Sequence, residues 1–158
     1  MPLHDWLSPG RVAIIDAPVD RAGAIDAAAR LLGDDGQAAA IGESLHARER
    51  LASTGIGHGV AFPHGRVPEL ERSRGAFLRL APPVDFNAAD GEPVDLLLAM
   101  AVPEHALQEH LQQLAELAER FGDPRFRERL REAANVDELR ECLLAPADPP
   151  RRAAEAGR

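Results

Sequence analysis

The stretch that most restricts how this chain can fold is Val94–Val102, VDLLLAMAV, in which every residue but Asp95 is apolar. Its apolar core, from Leu96 to Val102, is far too short to span a bilayer, which takes about 20 residues as a helix. A continuous apolar run of this length suits a central strand buried on both faces, so other elements must cover both sides of the sheet that contains it.

The flanking segments supply those layers. Arg11–Ile15, Gly59–Phe62 and Gly75–Leu80 read as further short strands, the second stopped by Pro63. Asp20 is placed to cap a helix whose apolar residues Ile25, Ala28, Ala29 and Leu32 keep helical spacing up to Gly33. A second helix is expected from about Gln37 to Ala52, and an amphipathic third over Leu107–Phe121. Asp123-Pro124 opens a fourth, and Asp137 is expected to cap a short fifth. Helices interleave with buried strands, which gives an α/β class: a single domain with a mixed β-sheet and helices on both faces. The domain is expected over residues 1–145. Residues 146–158 open with Pro146-Ala147-Asp148-Pro149-Pro150 and read as a flexible C-terminal tail.

Composition fixes the kind of core and excludes some partners. With 29 Ala and 20 Leu against 5 Phe, 1 Trp and no Tyr, the core must be aliphatic and its elements closely packed. The net charge of −8 argues against a nucleic-acid ligand, which calls for a basic face. Cys142 is the one cysteine and lies among Leu139, Leu143 and Leu144, so it reads as an inert core thiol in a reducing compartment. Met1–Trp6 has neither the basic start nor the apolar run of a signal peptide. A soluble, cytoplasmic protein without membrane insertion is expected, with no cofactor and no metal site.

Two polar residues stand where their helices should be apolar. On a helical wheel Arg48 falls within the stripe of Ile41, Leu45 and Ala52, while Glu43, His46 and Arg50 fall opposite. His110 falls within the stripe of Leu107, Leu111, Leu114, Leu117, Ala118 and Phe121, and His105 projects away from it. An inward arginine needs an anionic partner and an inward histidine needs a hydrogen-bond partner. A structural ion pair and a satisfied core histidine would account for them; so would an anion-binding site.

Between these helices runs Ser53-Thr54-Gly55-Ile56-Gly57-His58-Gly59, followed by Val60-Ala61-Phe62-Pro63-His64-Gly65. The glycines allow a sharp turn with backbone N–H groups open to an anion, although a tight helix-to-strand turn explains them equally well. The run lacks the Lys-Ser/Thr pair of a nucleotide P-loop. His64 follows Pro63 at the C-terminal end of the short expected strand, where open α/β sheets place ligands. A neutral imidazole is a competent nucleophile toward phosphorus, and Arg48, His110 and glycine N–H groups would stabilise phosphoryl oxygens around it.

Arg48-Glu49, Ser-Thr-Gly-Ile-Gly over 53–57 and Gly-Val-Ala-Phe-Pro-His-Gly over 59–65 together resemble a known signature. It is that of the type-2 (fructose/mannitol-type) enzyme IIA domains of the bacterial phosphoenolpyruvate-dependent phosphotransferase system. Ala81–Phe86, Asp90–Asp95, Val102-Pro103-Glu104 and His110-Leu111 extend the likeness, which is nearest to the nitrogen-regulatory IIA proteins and covers about Leu7 to Leu144. The resemblance implies that His64 takes a phosphoryl group on Nε2 from an HPr-type phosphocarrier. It implies that His110 faces His64, that Arg48 is the active-site arginine, and that Thr54, Gly55, Ile56, Gly57 and His58 line the phosphoryl group. The family usually has Asn where this chain has His58, so a second acceptor or an added pH dependence is open there.

Three functions follow from these residues. The first is a phosphohistidine relay of phosphotransferase type whose state is read by regulatory target proteins. The second is the IIA component of a fructose/mannitol-type uptake chain, passing the phosphoryl group to a separate IIB protein. The third is a metallo-hydrolase using His58, His64 and His110, although His105 and His110 lack the i, i+4 spacing of a helical ligand pair.

Overall fold

The computed structural model describes residues 7–105 and 107–145, and Val94–Val102 is a strand in which all but Asp95 are buried. In chain order the elements are β1 (Leu7–Ile15), α1 (Arg21–Leu32), α2 (Ala38–Leu51), β2 (Gly55–Gly57), β3 (Val60–Ala61) and β4 (His64–Arg66). There follow β5 (Arg74–Val84), β6 (Val94–Val102), α3 (Leu107–Phe121), α4 (Pro124–Glu132) and α5 (Val136–Leu144). The expected tail, 146–158, lies outside the described residues.

One mixed six-stranded sheet runs β1-β5-β6-β3-β2, with β4 also paired to β6. Strand β6 is antiparallel to β5 and parallel to β3 and β4, and β1 lies parallel outside β5. The period of two along β6 sorts its side chains. Leu97, Ala99 and Ala101 pack with Ala24, Ile25, Ala28, Ile41 and Leu45 of α1 and α2. Leu96, Leu98, Met100 and Val102 pack with Leu117, Phe121, Phe126, Leu130, Leu139 and Leu143 of α3, α4 and α5. The alanine-rich composition is used on the first face, where alanines of the sheet meet alanines of α1. Four of the five phenylalanines gather on the second, Phe121 lying edge-on to Phe62 and Phe126, while Phe86 belongs to the first.

Local signals explain most boundaries. The Asp20 carboxylate accepts the Gly23 N–H at 2.7 Å, and the Asp123 carboxylate accepts the Arg125 N–H at 3.0 Å ahead of Pro124. The last helix differs from expectation: Asn135, not Asp137, is its cap. The Asn135 side chain accepts the Glu138 N–H at 2.9 Å while Glu138 accepts the Ala134 N–H at 2.9 Å, a reciprocal box that starts the helix earlier. Strand β1 is longer than expected because Leu7 pairs with Gly75 of β5, and β5 because its ends, Arg74 and Val84, pair with Ala101 and Val94 of β6.

The break that matters for the site is at Phe62-Pro63. Proline has no N–H to give to a ladder, so β3 stops; the Pro63 carbonyl still accepts the Met100 N–H at 2.9 Å, and pairing resumes with His64 opposite Met100. His64 therefore opens a strand rather than leaving one. Gly65, its neighbour, faces α2 so closely that a Cβ would collide with Ser44, whose hydroxyl donates to the Arg66 carbonyl at 2.7 Å. Among the described residues no helix is long and apolar enough to cross a membrane.

Candidate functional site

Strand pleating puts His64 and Arg66 on the face of β4 opposite Gly65, toward α3. There the half-buried His64 ring meets His110 of α3, with ring centroids 5.2 Å apart and planes inclined by 48°. The His64 Nδ1 lies 2.9 Å from the Phe62 carbonyl oxygen. A carbonyl only accepts, so Nδ1 carries the proton and Nε2 keeps its lone pair. Burial, the largest influence, together with the charge of Arg48 holds His64 below the ordinary histidine range, against the opposing hydrogen bond to Phe62 and the charge of Glu49.

His110 is 6% exposed, and its Nδ1 is buried without a hydrogen-bond partner among the described residues. Burial pushes its pKa down to about 4, with further lowering from His64 and Arg66. At neutral pH the pair is thus two uncharged rings, one with a free nucleophilic nitrogen and one with an unmatched polar atom. An anion placed between them would find a donor whose desolvation has already been met by the fold.

Arg48 lies in the last turn of α2, half-buried, and its Nη1 donates to the Ala52 carbonyl at 2.9 Å. That bond satisfies a carbonyl at the helix C-terminus and restrains the guanidinium on the side of His64. The stripe read from the wheel is rotated in the structure: Ile41 and Leu45 are buried, Ala52 is exposed, and Glu49 turns inward at 8% exposure. On α3 the buried face is His110, Gln113, Leu117 and Phe121, whereas Leu111 is 59% exposed and Ala118 is exposed. His46, expected to face away, lies against α1 with Nε2 2.7 Å from an Asp26 carboxylate oxygen. His105 is exposed, as its wheel position implies.

The glycine run departs most from expectation. Gly55–Gly57 is strand β2, paired antiparallel with β3, not an anion-cradling loop. Three of the five backbone N–H groups assigned to the phosphoryl group are occupied: Thr54 by Glu49, Gly55 by the Ser53 hydroxyl and His58 by Asp90. Ile56 is 48% exposed on β2. His58 is exposed in the β2–β3 turn at φ 58° between two glycines also at positive φ, and its carbonyl accepts from Arg131. The Gly59 carbonyl pairs at Asp95 and Leu96 while His64 pairs at Met100. At about 3.3 Å per residue, the offset from Leu96, which pairs with Val60, to Met100 puts Val60 roughly 13 Å along the sheet from His64, and His58 lies in the turn before Val60. His58 therefore joins neither the phosphoryl site nor a metal site with His64 and His110.

Two residues of the site received no role in the sequence reading, although Glu49 stands in the quoted signature. Arg66 shares a strand face with His64 and its charge acts on His110; period two from His64 was the available signal. Glu49 is buried beside Arg48, and its carboxylate accepts the Thr54 N–H at 3.0 Å and the Thr54 hydroxyl at 2.5 Å.

Comparison with known proteins bears on this geometry. The family model for EIIA 2 of the phosphoenolpyruvate-dependent sugar phosphotransferase system matches residues 7–145. A nitrogen regulatory protein of Bradyrhizobium diazoefficiens is 40% identical over 119 residues, 75% of this chain and 76% of that protein. One from Pseudomonas aeruginosa is 44% identical over 104 residues, 66% of this chain and 68% of the relative. The crystal structure of nitrogen regulatory protein IIA-Ntr from Neisseria meningitidis superposes with a TM-score of 0.82 at 38% identity, covering 89% of this chain and 98% of that one.

Proposed function

The chain belongs to the EIIA 2 family of the phosphoenolpyruvate-dependent sugar phosphotransferase system, and we propose that it is a phosphohistidine relay with regulatory output. In this reading Nε2 of His64 accepts a phosphoryl group from a phosphohistidine of an HPr-type carrier in the cytoplasm. The observation that carries it is the Phe62 carbonyl on Nδ1 of His64, which leaves the lone pair on the nitrogen free to react.

The step balances without proton transfer. The Nε2 lone pair forms a bond to phosphorus while the carrier's N–P bond breaks, and that electron pair leaves with the carrier's imidazole. Positive charge grows on the His64 ring as the bond forms, and the Phe62 carbonyl at Nδ1–H stabilises it. The three equatorial oxygens carry the negative charge of the transition state. His110, Arg48 and Arg66 are the groups placed to receive it.

The regulatory side rests on the surface around this chemistry and on the relatives' character. Leu51 (81% exposed) follows Arg48 by three residues, Leu111 adjoins His110, and Ile56 lies two residues from Thr54. Exposed apolar side chains on the elements that carry a site suit a docking surface. A phosphoryl group there adds about −1.5 to −2 charge, so a partner that docks through apolar groups loses affinity while a carrier with a basic rim retains it. That is a switch made of local charge, with target proteins as its readers.

The experiment is phosphorylation by phosphoenolpyruvate, enzyme I and an HPr-type carrier, followed by site mapping, then capture of partners with the unphosphorylated and phosphorylated forms. An alkali-stable, acid-labile label that disappears in His64→Ala, with a partner that distinguishes the two forms, is the expected result. Undiminished labelling of His64→Ala refutes the acceptor. Loss of uptake of one sugar in a deletion strain, with no discriminating partner, moves the protein into a transport chain.

A further inference from the structure

We infer that Glu49 is a positioning residue for phosphoryl transfer, its buried carboxylate fixing the ring orientation and tautomer of His64 through Thr54 and Phe62. The inference rests on the transfer reading above for its consequence, but the tether itself is a chain of hydrogen bonds in the structure. Glu49 accepts the Thr54 N–H at 3.0 Å and the Thr54 hydroxyl at 2.5 Å. The Thr54 carbonyl accepts the Phe62 N–H at 3.0 Å. The Phe62 carbonyl in turn accepts the Nδ1 proton of His64 at 2.9 Å.

Several observations say that this carboxylate is there for more than stability. Glu49 stands in the last turn of α2, where the partial negative charge of the helix end makes an acidic residue unfavourable. It is also buried, which a carboxylate avoids unless donors meet it. Among the described residues its ion-pair partner is Arg21, with Nη1 at 4.0 Å from Oε2, so Thr54 supplies its close donors. Within the segment it holds, β3 is paired to β6, while β2 is the edge strand of the sheet. β2 and β3 have three and two residues, and the turn between them runs through three consecutive positive φ values. A ribbon that short is marginal by itself. Clamped at Thr54 by Glu49, and at Ser53 by its hydroxyl bond to the Phe86 carbonyl, it becomes a fixed edge that holds the Phe62 N–H, on the residue whose carbonyl faces His64. The Phe62 ring, packed edge-on against Phe121 at 5.4 Å, holds the same residue from the core side. Glu49 also favours positive charge on His64, in opposition to Arg48, and positive charge is what the ring gains as the N–P bond forms.

The test uses Glu49→Ala, Glu49→Gln and Thr54→Val in the full chain, with two readouts. Nitrogen-15 spectra of the unphosphorylated protein report which ring nitrogen of His64 is protonated. Initial rates with the phosphorylated HPr-type carrier report transfer, with His64→Ala as the blank. The wild type should show one tautomer, protonated on Nδ1. Glu49→Ala should show a mixture and transfer roughly 10–100-fold slower, the size of effect seen when an imidazole's outer partner is removed at metal sites. The loss should fall in kcat and leave KM, because the docking surface is untouched. Glu49→Gln, which keeps one acceptor, should restore part of both signals, and Thr54→Val should lie between it and the wild type. A folded Glu49→Ala with wild-type ring shifts overturns the inference, as does slowed transfer with an unaltered ring or an altered ring with unaltered transfer. Where Glu49→Ala does not fold, the same readouts on the other two variants decide. Labelling of wild type at a residue other than His64 refutes the transfer reading alone, since the spectra still test the tether.

Discussion

Phosphorylation of His64 should turn His110 from a neutral ring into a titrating one within the physiological range. The unmodified His110 has its pKa pushed down to about 4 by burial and by the neighbouring His64 and Arg66. A phosphoryl group on His64 would stand beside the His110 ring, whose centroid is 5.2 Å from that of His64. At that separation, with an effective dielectric constant of about 20, one unit charge acts on the ring with about 3 kcal/mol. Since one pKa unit is about 1.4 kcal/mol, each unit of negative charge lifts His110 by about 2 units. A group of charge about −1.5 to −2 has more to give, but Arg48 and Arg66 compete for it, so a rise of about 2 units, to about 6, is the expected net effect. The assay is a nitrogen-15 titration of the His110 ring, in fresh phosphoprotein and in unmodified protein, between about pH 5.5 and 9, the span that brackets ordinary histidine titration. Unmodified His110 should stay neutral throughout, while the phosphoprotein shows a titrating ring with a midpoint near the acid end. A His110 that remains neutral in both forms refutes the argument that the two histidines share one anion.

Other outcomes follow from the same geometry. Both His64 and His110 have pKa values lowered in the folded state, so their stabilising contribution is complete above about pH 6.5 and is lost as pH falls through that value toward 4. Urea midpoints at pH 7 and pH 5 should show this, and His110→Asn should flatten the difference by about 1–2 kcal/mol, less than the full shift because the site opens to solvent. Arg48→Ala should slow phosphorylation about 10²-fold, the effect of losing one preorganised donor, whereas His58→Ala and His46→Ala should leave the initial rate unchanged. Gly65→Ala drives a Cβ into both the side chain and the backbone of Ser44 and should cost about 1–3 kcal/mol, read as a lower midpoint in thermal unfolding; an unchanged midpoint would show that α2 yields at Ser44 without cost.

What the sequence made legible was what local rules govern. Strand β6 and helix α3 were expected at their observed bounds because nine near-continuous apolar residues and a strong 3.6-residue period need no tertiary information. Asp20 and Asp123 were readable as caps because a carboxylate ahead of a helix has few other uses. The residues that escaped depend on what lies across the chain. Glu49 was passed over because a wheel ranks positions by apolar neighbours, while a buried carboxylate is retained by donors, here on Thr54. Gly55–Gly57 was read as a loop because a strand of three residues shows no period; it is a strand by pairing with β3, which lies within the expected strand Gly59–Phe62 and is paired to β6. Leu111 and Ala118 were assigned to the core because the wheel widened the apolar face of α3 beyond the part the sheet covers.

The break in the edge of the sheet is where fold and chemistry meet. Had β3 run on without proline, the residue at position 64 would simply have continued a strand. Pro63 interrupts the donors of that strand, and the Phe62 carbonyl just before it takes the His64 Nδ1 proton. The same interruption lets β4 restart beside β6 with His64 turned to α3 and Gly65 turned to α2. The Phe62-Pro63 step thus orients the His64 ring, and the two helices that cover opposite faces of the sheet supply what surrounds it: His110 from one, Arg48 and Glu49 from the other. The site is therefore assembled at the sheet edge from helices on both faces, which on the proposed relay reading suits a group that is handed from one protein to another.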